Sequence, residues 1–273
     1  MLPDPVLLAQ MTALLLVIGG FAGLIAGLLG VGGGIVLVPA FFYSFTVLGY
    51  DGPQLMQVCL ATSLATIVFT SAISVRAHHA RGAVDLDILR GWAPGIALGA
   101  VLGVAVAAGL DSVVLQGIFG VLGVAVALYL AFGRAHWRLG EAMPTGMAKA
   151  ATSPGLGFLS VLMGIGGGSF GVPLMTLYGV AIHRAVATAA GFGLAVSVPS
   201  VAGFLLVRPE QAPPLTLGAI NLPAFLIVIA VSLQTTRLGV KLAHSMDPKP
   251  LKRVFAVVLM LTAGNMLRKA LGF

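Results

Sequence analysis

Two clusters of glycine, each followed by a proline, are the residues of this chain best placed to do chemistry: Gly30-Val31-Gly32-Gly33-Gly34 with Pro39, and Gly164-Ile165-Gly166-Gly167-Gly168 with Pro173. The chemistry is that of bare backbone. A helix that starts at such a cluster presents N–H groups with no intrahelical partner and the positive end of its dipole, and the missing side chains let an anion reach the main chain. Glycine costs about 1 kcal/mol per residue in a helix relative to alanine, so these repeated clusters inside apolar sequence read as deliberate helix breaks. Gly32, Gly33, Gly34, Gly166, Gly167 and Gly168 are the candidate donors, and a tetrahedral or pyramidal oxyanion suits several converging N–H groups. Pro39 and Pro173 would fix the bend of the helices that follow. The plainer alternative is that the glycines only permit close helix packing. Duplication of the whole motif, proline included, favours the ligand reading.

Hydroxyl groups near the clusters are the next candidates. Ser169 directly follows the second cluster, whereas its repeat partner is Ile35; Thr62, Ser63 and Thr188 sit on equivalent later segments. For each, bonding to the carbonyl one turn back competes with a ligand role. Gly167-Gly168-Ser169-Phe170-Gly171 matches a nucleophile elbow, but that motif needs a strand-to-helix turn with a histidine and an acid close by, so no catalytic residue is assigned. The GxGxxG spelled by Gly166, Gly168 and Gly171 lacks a preceding soluble strand. His78 and His79 beside Arg76 and Arg81 read as a solvated basic loop, since adjacent histidines point different ways on a helix. Asp85 and Asp87 then form local ion pairs or a gate. Neither a metal nor a cofactor is expected.

The elements that must position these residues are membrane helices. The chain has 273 residues, 59% hydrophobic and 8% charged, with mean hydropathy +1.07. A soluble domain carries roughly 25% charge. Apolar runs that continue for ~20 residues without alternating exclude barrel strands. They fall near 6–29, 35–49, 54–75, 88–109, 112–132, 147–164, 168–181, 185–207, 216–236 and 252–271. The two short ones, 35–49 and 168–181, begin at the glycine clusters; a helix of about 15 residues reaches only ~22 Å, against a hydrocarbon core of ~30 Å. The net charge of +7 resides in short loops at span ends and not on a basic face, so nucleic acid is not an expected partner. Cys59, the single cysteine, lies in a span and is read as buried and inert. The Met1-Leu2-Pro3-Asp4-Pro5 start lacks a basic n-region, so the first span is expected to be retained.

Ala61-Thr62-Ser63 is echoed by Ala187-Thr188-Ala189, which extends the repeat beyond the glycines. The expected organisation is a first transmembrane repeat over 1–133, a linker at 134–146 and a second repeat over 147–273. Each repeat has a glycine-broken hairpin and three full spans. Arginine and lysine gather in three loops: Arg76, Arg81 and Arg90; Arg134, Arg138 and Lys149; Arg237, Lys241, Lys249, Lys252 and Arg253. Placing all three in the cytoplasm forces the two repeats to be inverted, with both termini outside. Arg268 and Lys269 near the C-terminus count against that orientation.

Inverted repeats with broken helices are the architecture of secondary transporters, with the substrate near the midplane. At these residues the chain resembles the sulfite exporter TauE/SafE family: two copies of GxGGxxxxP, in the Gly32 to Pro39 and Gly166 to Pro173 regions, and the Ala-Thr-Ser segment, in a chain of this length. The similarity covers nearly the whole sequence. It implies a permease of the bacterial inner membrane for sulfite, thiosulfate or other sulfur-containing or organic anions. The spans hold no Asp or Glu at mid-membrane to carry protons, which favours potential-driven export by alternating access. An ion-coupled importer and an anion channel of the same fold are the alternatives.

Overall fold

A computed structural model describes residues 5–30, 32–133, 137–245 and 249–272. Val31 of the first cluster, Arg134 of the linker, the Met1–Asp4 start and the side chains of Lys249, Lys252 and Arg253 lie outside the described residues. The chain is an all-α bundle with one small hairpin. Its helices are α1 (Pro5–Leu29), α2 (Gly34–Val47), α3 (Leu55–His79), α4 (Leu86–Ala108), α5 (Ser112–Phe132), α6 (Gly146–Leu162), α7 (Gly168–Leu177), α8 (Ile182–Phe204), α9 (Leu222–Ala243) and α10 (Lys249–Ala270). Six of the described helices, α1, α3, α4, α5, α8 and α9, are long and apolar enough to cross a membrane. Large apolar side chains such as Val17, Leu98, Val121, Leu206 and Leu226 are exposed on the outside of the bundle. In a polytopic helical membrane protein that face belongs to lipid, where no water competes for backbone bonds.

The spans read from the sequence coincide with the helices, with one instructive difference. Residues 216–221, read as the start of a span, form an antiparallel hairpin of β1 (Thr216–Leu217) and β2 (Ile220–Asn221), with Thr216 opposite Asn221. The helix waits for Asn221, whose side chain accepts the Ala224 N–H, and for Pro223 in the first turn. At its other end α9 runs past Arg237 and Lys241 to Ala243, into what read as loop. A helix is not obliged to stop where its apolar stretch ends.

Packing pairs the two halves reciprocally. α1 lies against α9 and α6 against α4; α3 packs on α9 and α8 on α4; α3 meets α8 and α5 meets α10 at the centre of the exchange. When α1–α5 are exchanged with α6–α10, the first four pairings map onto one another and the last two onto themselves. Small residues set the approach: a Cβ on Gly99 would lie 1.9 Å from the Pro154 carbonyl oxygen, and one on Gly27 would lie 2.1 Å from that of Thr236. α3 and α8 are the most enclosed spans. They carry most of the buried hydroxyls, including Thr62, Ser63, Thr66, Thr70, Ser71 and Thr188.

The loops sort to two ends. At one end His78, after which come Arg81 and Asp85, meets His244 and the start of α8, and the α4 start lies near Lys149. At the other, Ser112 N–H donates to Pro53 and Glu210 N–H to the Gln54 side chain. The basic loops therefore share one end of the bundle.

Candidate functional site

Each glycine cluster forms the tip of a helical hairpin, and the two tips pass each other inside the bundle. The α1–α2 tip reaches the basic end: the Gly27 carbonyl lies 3.3 Å from His78 Nε2, and a Cβ on Gly30 would meet the Val186 carbonyl oxygen at 2.3 Å. The α6–α7 tip comes from the opposite direction to the level of Leu60, whose side chain lies 2.7 Å from the Cβ position of Gly164. Where they overlap, a Cβ on Gly34 would sit 2.4 Å from the Gly164 carbonyl oxygen, and one on Gly32 would sit 3.4 Å from Gly166 Cα. No side chain fits between them. Gly33, which precedes α2, has φ +79° and so adopts a conformation that L side chains avoid. The structure thus brings the two clusters together and packs backbone closely around Gly30, Gly33, Gly34, Gly164 and Gly167.

Pro39 and Pro173 occupy the same place in their helices, the sixth residue of α2 and of α7. A proline there cannot bond the carbonyl one turn back, which belongs to Ile35 in α2 and to Ser169 in α7. At the start of α7 the N–H groups of Gly168, Ser169 and Phe170 lack intrahelical acceptors by helix geometry. Ser169 is 3% exposed and its Oγ has no hydrogen-bond partner. It lines a cavity of about 40 Å³ with Gly168, Tyr129, Thr176, Leu29 and Val186 among its walls. Thr176 Oγ1 lies 2.9 Å from the Val172 carbonyl oxygen and 3.2 Å from Tyr129 Oη. Since the threonine hydrogen goes to the carbonyl, the tyrosine hydroxyl donates to Thr176. Helix dipole, unpartnered N–H groups and a free hydroxyl at one enclosed point favour a small anion. Among the described residues no imidazole or carboxylate is bonded to the Ser169 hydroxyl.

The other hydroxyls picked out in the sequence are engaged elsewhere. Thr62 Oγ1 donates to the Val58 carbonyl at 2.7 Å and accepts the Asn221 N–H at 3.0 Å. Thr188 Oγ1 accepts the Asp85 N–H at 2.9 Å. Asn221 and Asp85 are the N-caps of α9 and α4, so the two contacts are alike: a threonine of α3 or α8 holds the N-cap N–H of α9 or α4. Ser63 Oγ donates to the Gly164 carbonyl at 2.8 Å and fastens the second tip to α3. Ser63→Ala is expected to leave that buried carbonyl unpaired and to lower stability by about 1–3 kcal/mol, read as a lower midpoint of thermal unfolding in detergent.

Two features were not read from the sequence. Tyr129 and Thr176, polar groups within apolar helices, face the cavity from α5 and α7; a tyrosine inside a span was the available signal. His78 is buried at 1% exposure and does not lie in a solvated loop, because α3 continues through His79 and turns His78 toward α1 and α9. His79 is exposed. Asp85 pairs with Arg184 at 3.6 Å.

The comparisons with known proteins agree with this architecture. The chain is 32% identical to a probable membrane transporter protein of Haemophilus influenzae over 258 residues, which cover 94% of this chain and 98% of that protein. It is 26% identical to a probable membrane transporter protein of Methanocaldococcus jannaschii, over 90% of this chain and 91% of the relative. No solved structure matches it significantly. The sulfite exporter TauE/SafE profile matches residues 15–266. Spanning helices, paired halves and that match over most of its length make this chain a multi-pass membrane transporter, and it belongs to the sulfite exporter TauE/SafE family.

Proposed function

We propose that this transporter exports small anions, foremost sulfite and related sulfur oxyanions, by alternating access of two inverted halves around the crossing glycine tips. The binding point is the start of α7, where Gly168 and Ser169 face the enclosed cavity, with Gly32, Gly33, Gly34, Gly166 and Gly167 shaping the backbone around it. The observation that carries the reading is the buried, unpartnered Ser169 Oγ at a helix N-terminus bordering that cavity. Its size favours a compact ion: about 40 Å³ is a few times the roughly 10–15 Å³ of cavity that holds one water. The three basic loops face the cytoplasm and both chain ends face outward, in a bacterial inner membrane. An interior-negative potential then drives an anion outward with ~2.3 kcal/mol per charge per 100 mV, and no coupling ion is required.

Labelled sulfite and thiosulfate flux into proteoliposomes, with and without an imposed potential, tests this. Saturable flux that follows the potential is the expected result. Flux that appears only with a sodium or proton gradient overturns the uncoupled exporter in favour of coupled uptake. No flux of any sulfur oxyanion overturns the substrate class, and large unitary currents overturn the carrier.

A further inference from the structure

A second, smaller cavity lies at the basic end, beside the one that holds Ser169. It is lined by Leu28, Leu29, His78, Ile182, His183, Val186, Ala243 and His244. Leu29 and Val186 border both cavities, so an apolar partition separates the histidines from the Ser169 space. His78 Nδ1 lies 3.1 Å from His244 Nε2, while His78 Nε2 lies 3.3 Å from the Gly27 carbonyl oxygen. A carbonyl only accepts, so Nε2 of His78 carries hydrogen and its Nδ1 receives one from His244. The contact joins α3 of the first half to the end of α9 in the second and ties both to the α1 tip. Arg81, whose Nη1 donates to the Val240 carbonyl at 3.4 Å, adds a second strand to the same closure.

We propose that the His78–His244 contact is a proton-sensitive latch that closes this end of the transporter over the Ser169 cavity and opens when both imidazoles are protonated. The inference rests on the transport reading of that cavity. A nitrogen pair at 3.1 Å holds one hydrogen between its members, which a neutral pair and a singly protonated pair both supply. A second proton sets two N–H groups head to head and two positive charges in contact. The described titratable or charged groups that face the pair from its neighbours are Arg81, from the α3–α4 loop, and His183, from α8, and both add repulsion. Arg76 and His79 on α3 and Lys241 on α9 are exposed nearby, and Asp85 is committed to Arg184. Partial desolvation first, then Arg81 and His183, hold the exposed His244 below its ordinary imidazole range. The folded, latched state therefore favours neutral His244; its contribution is present above about pH 6.5 and is lost as the pH falls.

Spin labels on Arg76→Cys and Lys241→Cys, in a Cys59→Ala background, report the α3–α9 separation by pulsed electron resonance whether or not any anion is carried. In the otherwise native protein the distance distribution is expected to move to a longer population between about pH 8 and about pH 4, since burial and the neighbouring cations oppose the second proton. His244→Gln, which still donates to His78 but cannot titrate, should hold the short distance at both values. His244→Ala should give the long one at both. An unchanged native distribution, or equal shifts in the native protein and the His244→Gln variant, overturns the latch. A shift present in a protein that carries no sulfur oxyanion sustains the latch and refutes the substrate assignment, so the two failures are distinguishable.

Discussion

Valine at Gly33 or Gly167 is expected to abolish anion flux in proteoliposomes while leaving a protein that inserts and can be purified. The two positions fail for different reasons. At Gly33 the backbone itself objects: φ is +79°, where an L residue costs roughly 1–2 kcal/mol, and the Cβ would lie 2.6 Å from the Ala22 carbonyl oxygen. At Gly167 φ is an ordinary −60°, so only space matters, but the Cβ would lie 2.5 Å from that of Phe192 and 2.9 Å from its carbonyl carbon. Overpacking of this kind costs about 1–3 kcal/mol and is relieved by moving the tip. The lipid-facing and helix-pairing surfaces of the long spans lie elsewhere, so insertion survives. Flux per reconstituted protein, read beside the thermal midpoint in detergent, checks the result. Native flux in both variants would remove the tips from the transport site.

Ser169→Ala separates binding from folding. The hydroxyl is buried and unpartnered, so its removal relieves a polar group of its desolvation penalty and the thermal midpoint should hold or rise. Anion affinity moves the other way. A hydrogen bond to a charged group contributes about 1.5–3 kcal/mol, so the half-saturating concentration for sulfite should rise roughly tenfold or more. Few substitutions are expected to raise stability and weaken function together, and packing loss alone does not produce that pair of signs. Unaltered half-saturation at an unaltered or raised midpoint would dismiss Ser169 as an anion ligand.

The helices were legible in the sequence because their apolar runs are bounded by charge, proline and glycine. The α9 start shows where that signal ends: Ile220 and Asn221 are as compatible with a span as with a strand, and only the Asn221 cap and the Thr62 contact across the fold decide. The glycine tips were legible as helix breaks. That both clusters would contribute to one midplane site was an expectation of the sequence; the particular contacts between them, with Gly34 against Gly164, were not, since composition does not say which backbone atoms meet. Likewise Tyr129 enters the cavity from α5, and His78 meets His244 from 166 positions away; such partners are set by tertiary packing alone.

The reciprocal caps have a bearing on sidedness. Thr62 holds the Asn221 N–H toward one end of the bundle, and Thr188 holds the Asp85 N–H toward the other. Matched clasps at opposite ends, both fastened in this structure, brace the two ends of the bundle in the same way. These two contacts alone therefore do not distinguish one end from the other. What does distinguish the ends is a set of groups with no such match: among the described residues His78, Arg81 and His244 stand together at one end only.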